Sequence, residues 1–251
     1  MDTAAEIIET MMAMRDDRQA QHLMRFFKTR KGEYGEGDIS LGLKVPQTRL
    51  IVKEMRADMP LKEVKTLLYS EWHEVRLAGF LLLVKAMKAA TPKKNTDAME
   101  NALRRDEIVA FFLSHAKQAN NWDLVDLSCP KVLGEWMLHP SAEGALPDRG
   151  LLDTLASSNN LWEQRISIVS TLQLIRHQQY DDALRIATKL LDHQHDLIHK
   201  ATGWMLREIG KRDIQTLVDF LEKNHSRMAR TALRYAIEKM DYADRQYWLR
   251  R

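Results

Sequence analysis

Trp122 and Asp126 stand four positions apart in the stretch Trp122-Asp123-Leu124-Val125-Asp126, so a continuous helix would present an indole and a carboxylate on one face. That pairing suits positive charge, because an aromatic face attracts cations and a carboxylate complements them or orients water. Taken singly the pattern is unspecific, since a lone tryptophan usually packs in a core and a lone aspartate usually caps a helix or faces solvent. Repetition sharpens it. Glu74-Val75-Arg76-Leu77-Ala78-Gly79-Phe80, Glu163-Gln164-Arg165-Ile166-Ser167-Ile168-Val169, His199-Lys200-Ala201-Thr202-Gly203-Trp204 and Ala229-Arg230-Thr231-Ala232-Leu233-Arg234-Tyr235 read as versions of one helix, in which a basic residue leads small and apolar ones. Laid on that frame, Asp126 takes the position that Arg76, Arg165, Lys200 and Arg230 hold elsewhere, so one acid replaces one base in a cationic series.

The elements that must position these residues are helices. Apolar residues recur at helical spacing over 2–14 and 18–28, and Pro46 and Pro60 suit the first turns of helices running to about 57 and 69. Residues 74–89 are apolar enough to be buried on most sides, and helical spacing resumes over 98–119. The glycine-bearing segment 31–38 reads as a loop. It lacks a following Gly-Lys-Ser/Thr and a preceding strand, which excludes a phosphate-binding loop. Residues 91–95 read as a turn. Pro130 cannot donate to the carbonyl of Asp126, so the helix through Asp126 either kinks there or gives way to a new one capped by Ser128 or Cys129. A surface loop is expected over 139–150, followed by helices over 151–156, 162–176, 181–191, 197–209, 213–223 and 226–240. Strand-like alternation is absent. The frame positions are separated by 50 to 30 residues, scattered about the roughly 40-residue period of HEAT and armadillo arrays. The sequence therefore predicts an all-α, single-domain α-solenoid over 1–251, its stacked helix pairs forming a concave face.

With 251 residues, 45% hydrophobic and 29% charged, the chain is of globular composition, and a net charge of +3 is too mild to establish a nucleic-acid partner by itself. No apolar run approaches the roughly 20 residues of a membrane span. The acidic start lacks the features of a signal peptide, which points to the cytoplasm. Cys129 is the only cysteine, which excludes an internal disulfide and a thiolate-clustered zinc site. His193, His195 and His199 lie close together but lack the spacing of a recognised zinc motif, so no metal and no cofactor is expected.

Read together, Asn121-Trp122-Asp123-Leu124-Val125-Asp126, Trp162-Glu163-Gln164-Arg165-Ile166-Ser167-Ile168, His199-Lys200-Ala201-Thr202-Gly203-Trp204-Met205-Leu206-Arg207-Glu208 and Met228-Ala229-Arg230-Thr231-Ala232-Leu233-Arg234-Tyr235 give a chain that resembles the bacterial DNA alkylation repair proteins of HEAT-like-repeat type, the AlkD-type alkylpurine glycosylases. The resemblance covers nearly the full chain. Ser40 before Leu41-Gly42 departs from the family's wording, away from the matched residues. The resemblance implies that Asp126 is the catalytic aspartate, Trp122 and Trp204 active-site tryptophans, and Arg165 a DNA-contacting arginine. It also implies hydrolysis of the N-glycosidic bond of cationic N3- or N7-alkylated purines in duplex DNA, without flipping the base, by a monomer at the nucleoid. No lysine stands out for Schiff-base chemistry, so strand cleavage is not expected.

Basic residues at the repeated positions would widen the footprint on DNA: Arg76, Lys200, Arg230 and Arg234, with Arg207 and Lys211 as a second row. Acidic Glu33 and Glu36 argue against the 31–38 loop as a primary phosphate clamp, although Lys28, Arg30 and Lys31 beside it could touch DNA. Two other functions fit the same chain, a non-catalytic relative that binds damaged or branched DNA and a protein-interaction scaffold.

Overall fold

The computed structural model of the chain describes residues 1–92 and 98–251. The expected turn over 91–95 falls mostly outside them. The described residues form helices joined by turns and loops, and their one β feature is an isolated parallel bridge between Ile39 and Trp72. The fold of the described residues is all-α. The sequence reading expects one domain. Internal contacts gather the residues into two units, 1–132 with 141–144 and 133–140 with 145–251.

The first unit holds α1 (Ala4–Ala13), α2 (Asp17–Phe26), α3 (Val45–Lys53), α4 (Leu61–Leu68), α5 (His73–Ala89), α6 (Ala98–Ser114) and α7 (Trp122–Cys129). Its centre is α5, against which α1, α3, α4, α6 and α7 all pack. Every residue of α5 from His73 to Leu83 is buried, as the apolar run from Leu77 demands. Each large side chain hidden there, such as Phe80 or Leu83, contributes about 1.5–3 kcal/mol of burial. The apolar count does not explain His73, Glu74 and Arg76, which are charged or polar and equally hidden.

The helix expected over 98–119 ends at Ser114, because a short 3₁₀ turn, Ala116–Gln118, intervenes before α7. Asn121 then starts α7, its Oδ1 accepting the backbone N–H of Trp122 at 2.9 Å. At the far end Pro130 neither recaps nor stops the helix. The chain runs on through a π-helical turn, Pro130–Gly134, a geometry that tolerates the missing donor. Ser128 is no cap, since its hydroxyl donates back to the carbonyl of Leu124 at 2.5 Å.

The second unit holds α8 (Leu151–Ala156), α9 (Leu161–Val169), α10 (Thr171–Arg176), α11 (Asp181–Lys189), α12 (Asp196–Gly210), α13 (Ile214–Asn224), α14 (Arg230–Ala236) and α15 (Tyr242–Arg250). The stretch expected as one helix over 162–176 is two, meeting at Ser170. The stretch over 226–240 opens with a 3₁₀ turn, His225–Arg227, and only its middle, Arg230–Ala236, is α14. The sequence reading missed α15, whose polar residues mask the buried Trp248. Here α12 is central, packed by α9, α10, α11, α13 and α14. It approaches α14 so closely that a Cβ on Gly203 would fall against the backbone carbonyl of Ala232.

Candidate functional site

In the first unit, the start of α7, the end of α2, the start of α5 and the entry to α3 surround a cleft of about 340 Å³. Trp122 and Asp126 both line it, as their spacing on one helix requires, together with Phe26, Phe27, Leu43 and Leu127. The walls are largely aromatic and aliphatic. Trp122 meets Phe26 edge-on at 5.6 Å and Phe27 at the same separation, tilted. Phe26 is 55% exposed, an unusual position for so large an apolar side chain.

Three carboxylates reach this cleft, and the structure sorts them. Glu74 is buried and occupied: its two oxygens accept the Ser40 hydroxyl and the backbone N–H groups of Leu41, Gly42 and Leu43, at 2.5 to 3.1 Å. Asp123 is 3% exposed and turned inward, its Oδ2 lying 2.9 Å from Nε2 of His73. Asp126 alone among them is half-buried, accessible from the cleft.

Behind the cleft lies a charged network that the sequence reading did not find. Nδ1 of His73 is 2.7 Å from Oδ2 of Asp38, while its Nε2 faces Asp123. With a carboxylate oxygen at each ring nitrogen, both nitrogens must donate, so the ring is an imidazolium. Burial works against that charge, but the Asp123 and Asp38 carboxylates outweigh it and push the imidazole up to about 10. Burial likewise opposes ionisation of Asp38. The hydrogen bond from His73 and the charge of Arg76 prevail, holding its carboxyl below the ordinary range. The 35 residues between Asp38 and His73 along the chain helped to hide this pairing from sequence reasoning.

Arg76 corrects an expectation. Its place in the frame suggested a phosphate contact, yet it is 5% exposed. Its guanidinium is spent on the Asp38 carboxylate and on the carbonyls of Ser70 and Glu71, at 2.8 and 3.0 Å for the latter two.

The second unit carries the remaining candidates. Arg165 on α9 is 5% exposed and donates to the carbonyl of Leu197. Trp204 on α12 is half-buried. Lys200 pairs with Asp196 at 2.8 Å, Arg207 pairs with Glu238, and Lys211 with Glu208 at 2.6 Å. Burial raises the Glu208 carboxyl, but Lys211 and Arg212 bring it below its usual value. Arg230 is exposed and donates to the carbonyl of Leu249, and Arg234 is exposed with no acid partner among the described residues. His193, His195 and His199 serve the entry to α12. Nε2 of His193 meets Oε1 of Gln164 at 2.9 Å, His195 Nδ1 accepts the N–H of Leu197 at 3.1 Å, and His199 Nε2 reaches the carbonyl of His193. Burial, followed by the nearby histidines, depresses His193, and burial depresses His195 against the opposing charge of Asp196, which favours their neutral forms.

The first unit has cations of its own. Arg18, Arg25, Lys28, Arg30 and Lys31 are exposed, and none pairs with an acid among the described residues. Arg18, His22 and Arg25 share one face of α2 at i, i+4, i+7 spacing, while Leu23 and Phe26 of the same helix line the cleft.

A family model described as DNA alkylation repair enzyme matches residues 7–240. No curated protein matches significantly. A solved structure described as a predicted DNA alkylation repair enzyme from Enterococcus faecalis superposes with a TM-score of 0.67 at 17% identity, covering 91% of this chain and 97% of that one. At that identity the likeness speaks for the fold.

Proposed function

The chain belongs to the DNA alkylation repair enzyme family, and from there we propose that it is a monofunctional DNA glycosylase releasing cationic N3- and N7-alkylated purines from duplex DNA. The observation that carries this reading is the sorting of carboxylates. Of the three acids at the cleft Glu74 and Asp123 are buried, and Asp126 is the half-buried one, lining the cleft with Trp122.

The chemistry follows from the charge of the lesion. An N3- or N7-alkylated purine is already positive, so when its bond to C1′ breaks the bonding pair moves onto the ring nitrogen and the base leaves neutral. No acid is needed to protonate it. Positive charge passes to the sugar, where the Asp126 carboxylate stabilises it. Water then adds at C1′, giving its proton to Asp126 or to solvent, and the abasic site remains. The apolar walls matter to the size of the effect. Two unit charges at 4 Å attract by about 1 kcal/mol in bulk water and about 4 kcal/mol where the effective dielectric is near 20. The difference of roughly 3 kcal/mol is on the order of 100-fold in rate.

Trp122 offers its face to the cationic nucleotide. For Trp204 and Arg165 the resemblance alone implies a role, an aromatic partner for the nucleotide and a phosphate contact, and Arg165, as buried as Arg76, would first have to give up its bond to the carbonyl of Leu197. The lesion is engaged from the sugar side without extrusion, as a carboxylate at an open cleft permits. Duplex phosphates are met by Arg234 and Arg230 and by the unpaired cations around α2. Lys200, Arg207 and Lys211 would contribute less, since each must first release an acid partner.

Chromatography of free base after incubation with a duplex carrying 7-methylguanine or 3-methyladenine tests the reading. Base release without strand scission is expected. Salt-sensitive binding with no released base would leave a DNA-binding protein without turnover, and no duplex binding at all would leave a scaffold.

A further inference from the structure

The charged residues behind the cleft take no part in the reaction just described, yet they hold the turn that carries it. Asp123 follows Trp122 directly and precedes Asp126 by three residues, so whatever fixes Asp123 fixes the rotation and height of both. Two polar tethers hold that first turn. Asn121 Nδ2 donates to the carbonyl of Phe27 at 3.1 Å, and Asp123 is held by His73. His73 is itself rigidly placed. It opens α5, its backbone N–H donates to Ile39 at 2.8 Å, and its second ring nitrogen is held by Asp38, which Arg76 secures in turn.

The same ring supports the tryptophan by a second route. Phe27 stacks on the His73 ring at 4.5 Å with the planes 26° apart, and Phe27 in turn packs against Trp122 at 5.6 Å. One buried imidazolium therefore reaches Asp126 through Asp123 and reaches Trp122 through Phe27. Four charges kept 3 to 6% exposed are a poor way to gain stability, since well-packed apolar residues of similar volume are often as stabilising. They are a good way to fix a register, because hydrogen bonds specify direction where apolar contacts do not.

We infer that His73, clasped between Asp38 and Asp123, is a positioning residue that sets Trp122 and Asp126 in the orientation substrate requires. This rests on the glycosylase reading of the cleft. The charged groups facing His73 are Asp38 from the loop between α2 and α3, Arg76 on α5 and Asp123 on α7; Glu74 is engaged with the amides of Leu41, Gly42 and Leu43.

The test is His73→Gln, which loses the charge and one of the two donors. Under single turnover on a 7-methylguanine duplex, base release should slow on the order of 100-fold, while duplex affinity stays within about twofold. In an Asp126→Asn background the same change should slow the residual rate by far less than 100-fold, because only the route through Phe27 to Trp122 remains. A purely structural role would instead lower affinity and rate together and persist in that background. Parental base release by folded His73→Gln, alongside loss in Asp126→Asn, overturns the positioning role alone. No base release by the wild-type protein overturns the glycosylase reading and this role with it. Should His73→Gln not fold, ¹⁵N shifts of the His73 ring in the wild-type protein decide. Both nitrogens protonated at pH 8 is the expected result, and a neutral ring would overturn the proposal.

Discussion

Asp123 and Asp126 stand three residues apart on α7 and do opposite things: Asp123 points into the protein and holds the His73 imidazolium at 2.9 Å, while Asp126 is half-buried and borders the cleft. One turn of helix thus carries an anion used for support and an anion that borders the cleft, the one to which the proposed function gives the substrate.

The support should be visible in the pH dependence of stability. His73 is raised from 6.5 to about 10, so its contribution is complete below about 6.5, is lost progressively above it and is gone beyond about 10. The slope in that window is at most about 1.4 kcal/mol per pH unit. Asp38, held low, acts on the other side, its contribution falling away as pH drops through its depressed value. Thermal melts from pH 7 to 10.5 should show a falling Tm in the wild-type protein and a flatter profile in His73→Gln. Parallel profiles for the two proteins would contradict the assignment.

Glu74→Gln should destabilise the first unit. The carboxylate accepts four donors from the segment 40–43, and an amide turns one of its two acceptors into a donor facing an N–H or O–H. An unsatisfied buried group costs about 1–3 kcal/mol. Gly42 adds to the demand, since at φ +89° a Cβ there would also strike the carbonyl of Asp16. Urea unfolding checks this, and an unchanged midpoint would show that the segment is not held by Glu74.

Much of this was legible in the sequence, and what was hidden has a physical reason. Helical spacing located α5 and put Trp122 and Asp126 on one face, because both depend on neighbours a few residues away. Arg76 was misjudged for the opposite cause: its partner Asp38 lies 38 residues earlier, and a buried basic residue looks like a surface one until that partner is known. His73 sat unnoticed beside Glu74, since a single histidine carries no periodic signal. The end of α7 was left open between a kink and a new cap, and only the backbone at Pro130 could choose. α15 escaped because its polar residues outnumber the buried Trp248 that anchors it.

Duplex affinity should separate the two kinds of basic residue. Removing a cation that contacts phosphate lowers the slope of log affinity against log salt by about one. Arg18→Ala and Arg25→Ala, on the exposed face of α2, are expected to do so. Arg76→Ala should leave the slope unchanged and instead lower stability by about 3–5 kcal/mol, the range for breaking a buried pair. Fluorescence anisotropy over a salt series gives both slopes, and equal changes for all three variants would contradict the distinction.

The most direct measurement is single-turnover release of 7-methylguanine from duplex DNA by the wild-type protein and by Asp126→Asn at matched DNA occupancy. The account predicts release by the first, a loss on the order of 100-fold or more in the second, and equal affinity for both. Parental release by Asp126→Asn would contradict it.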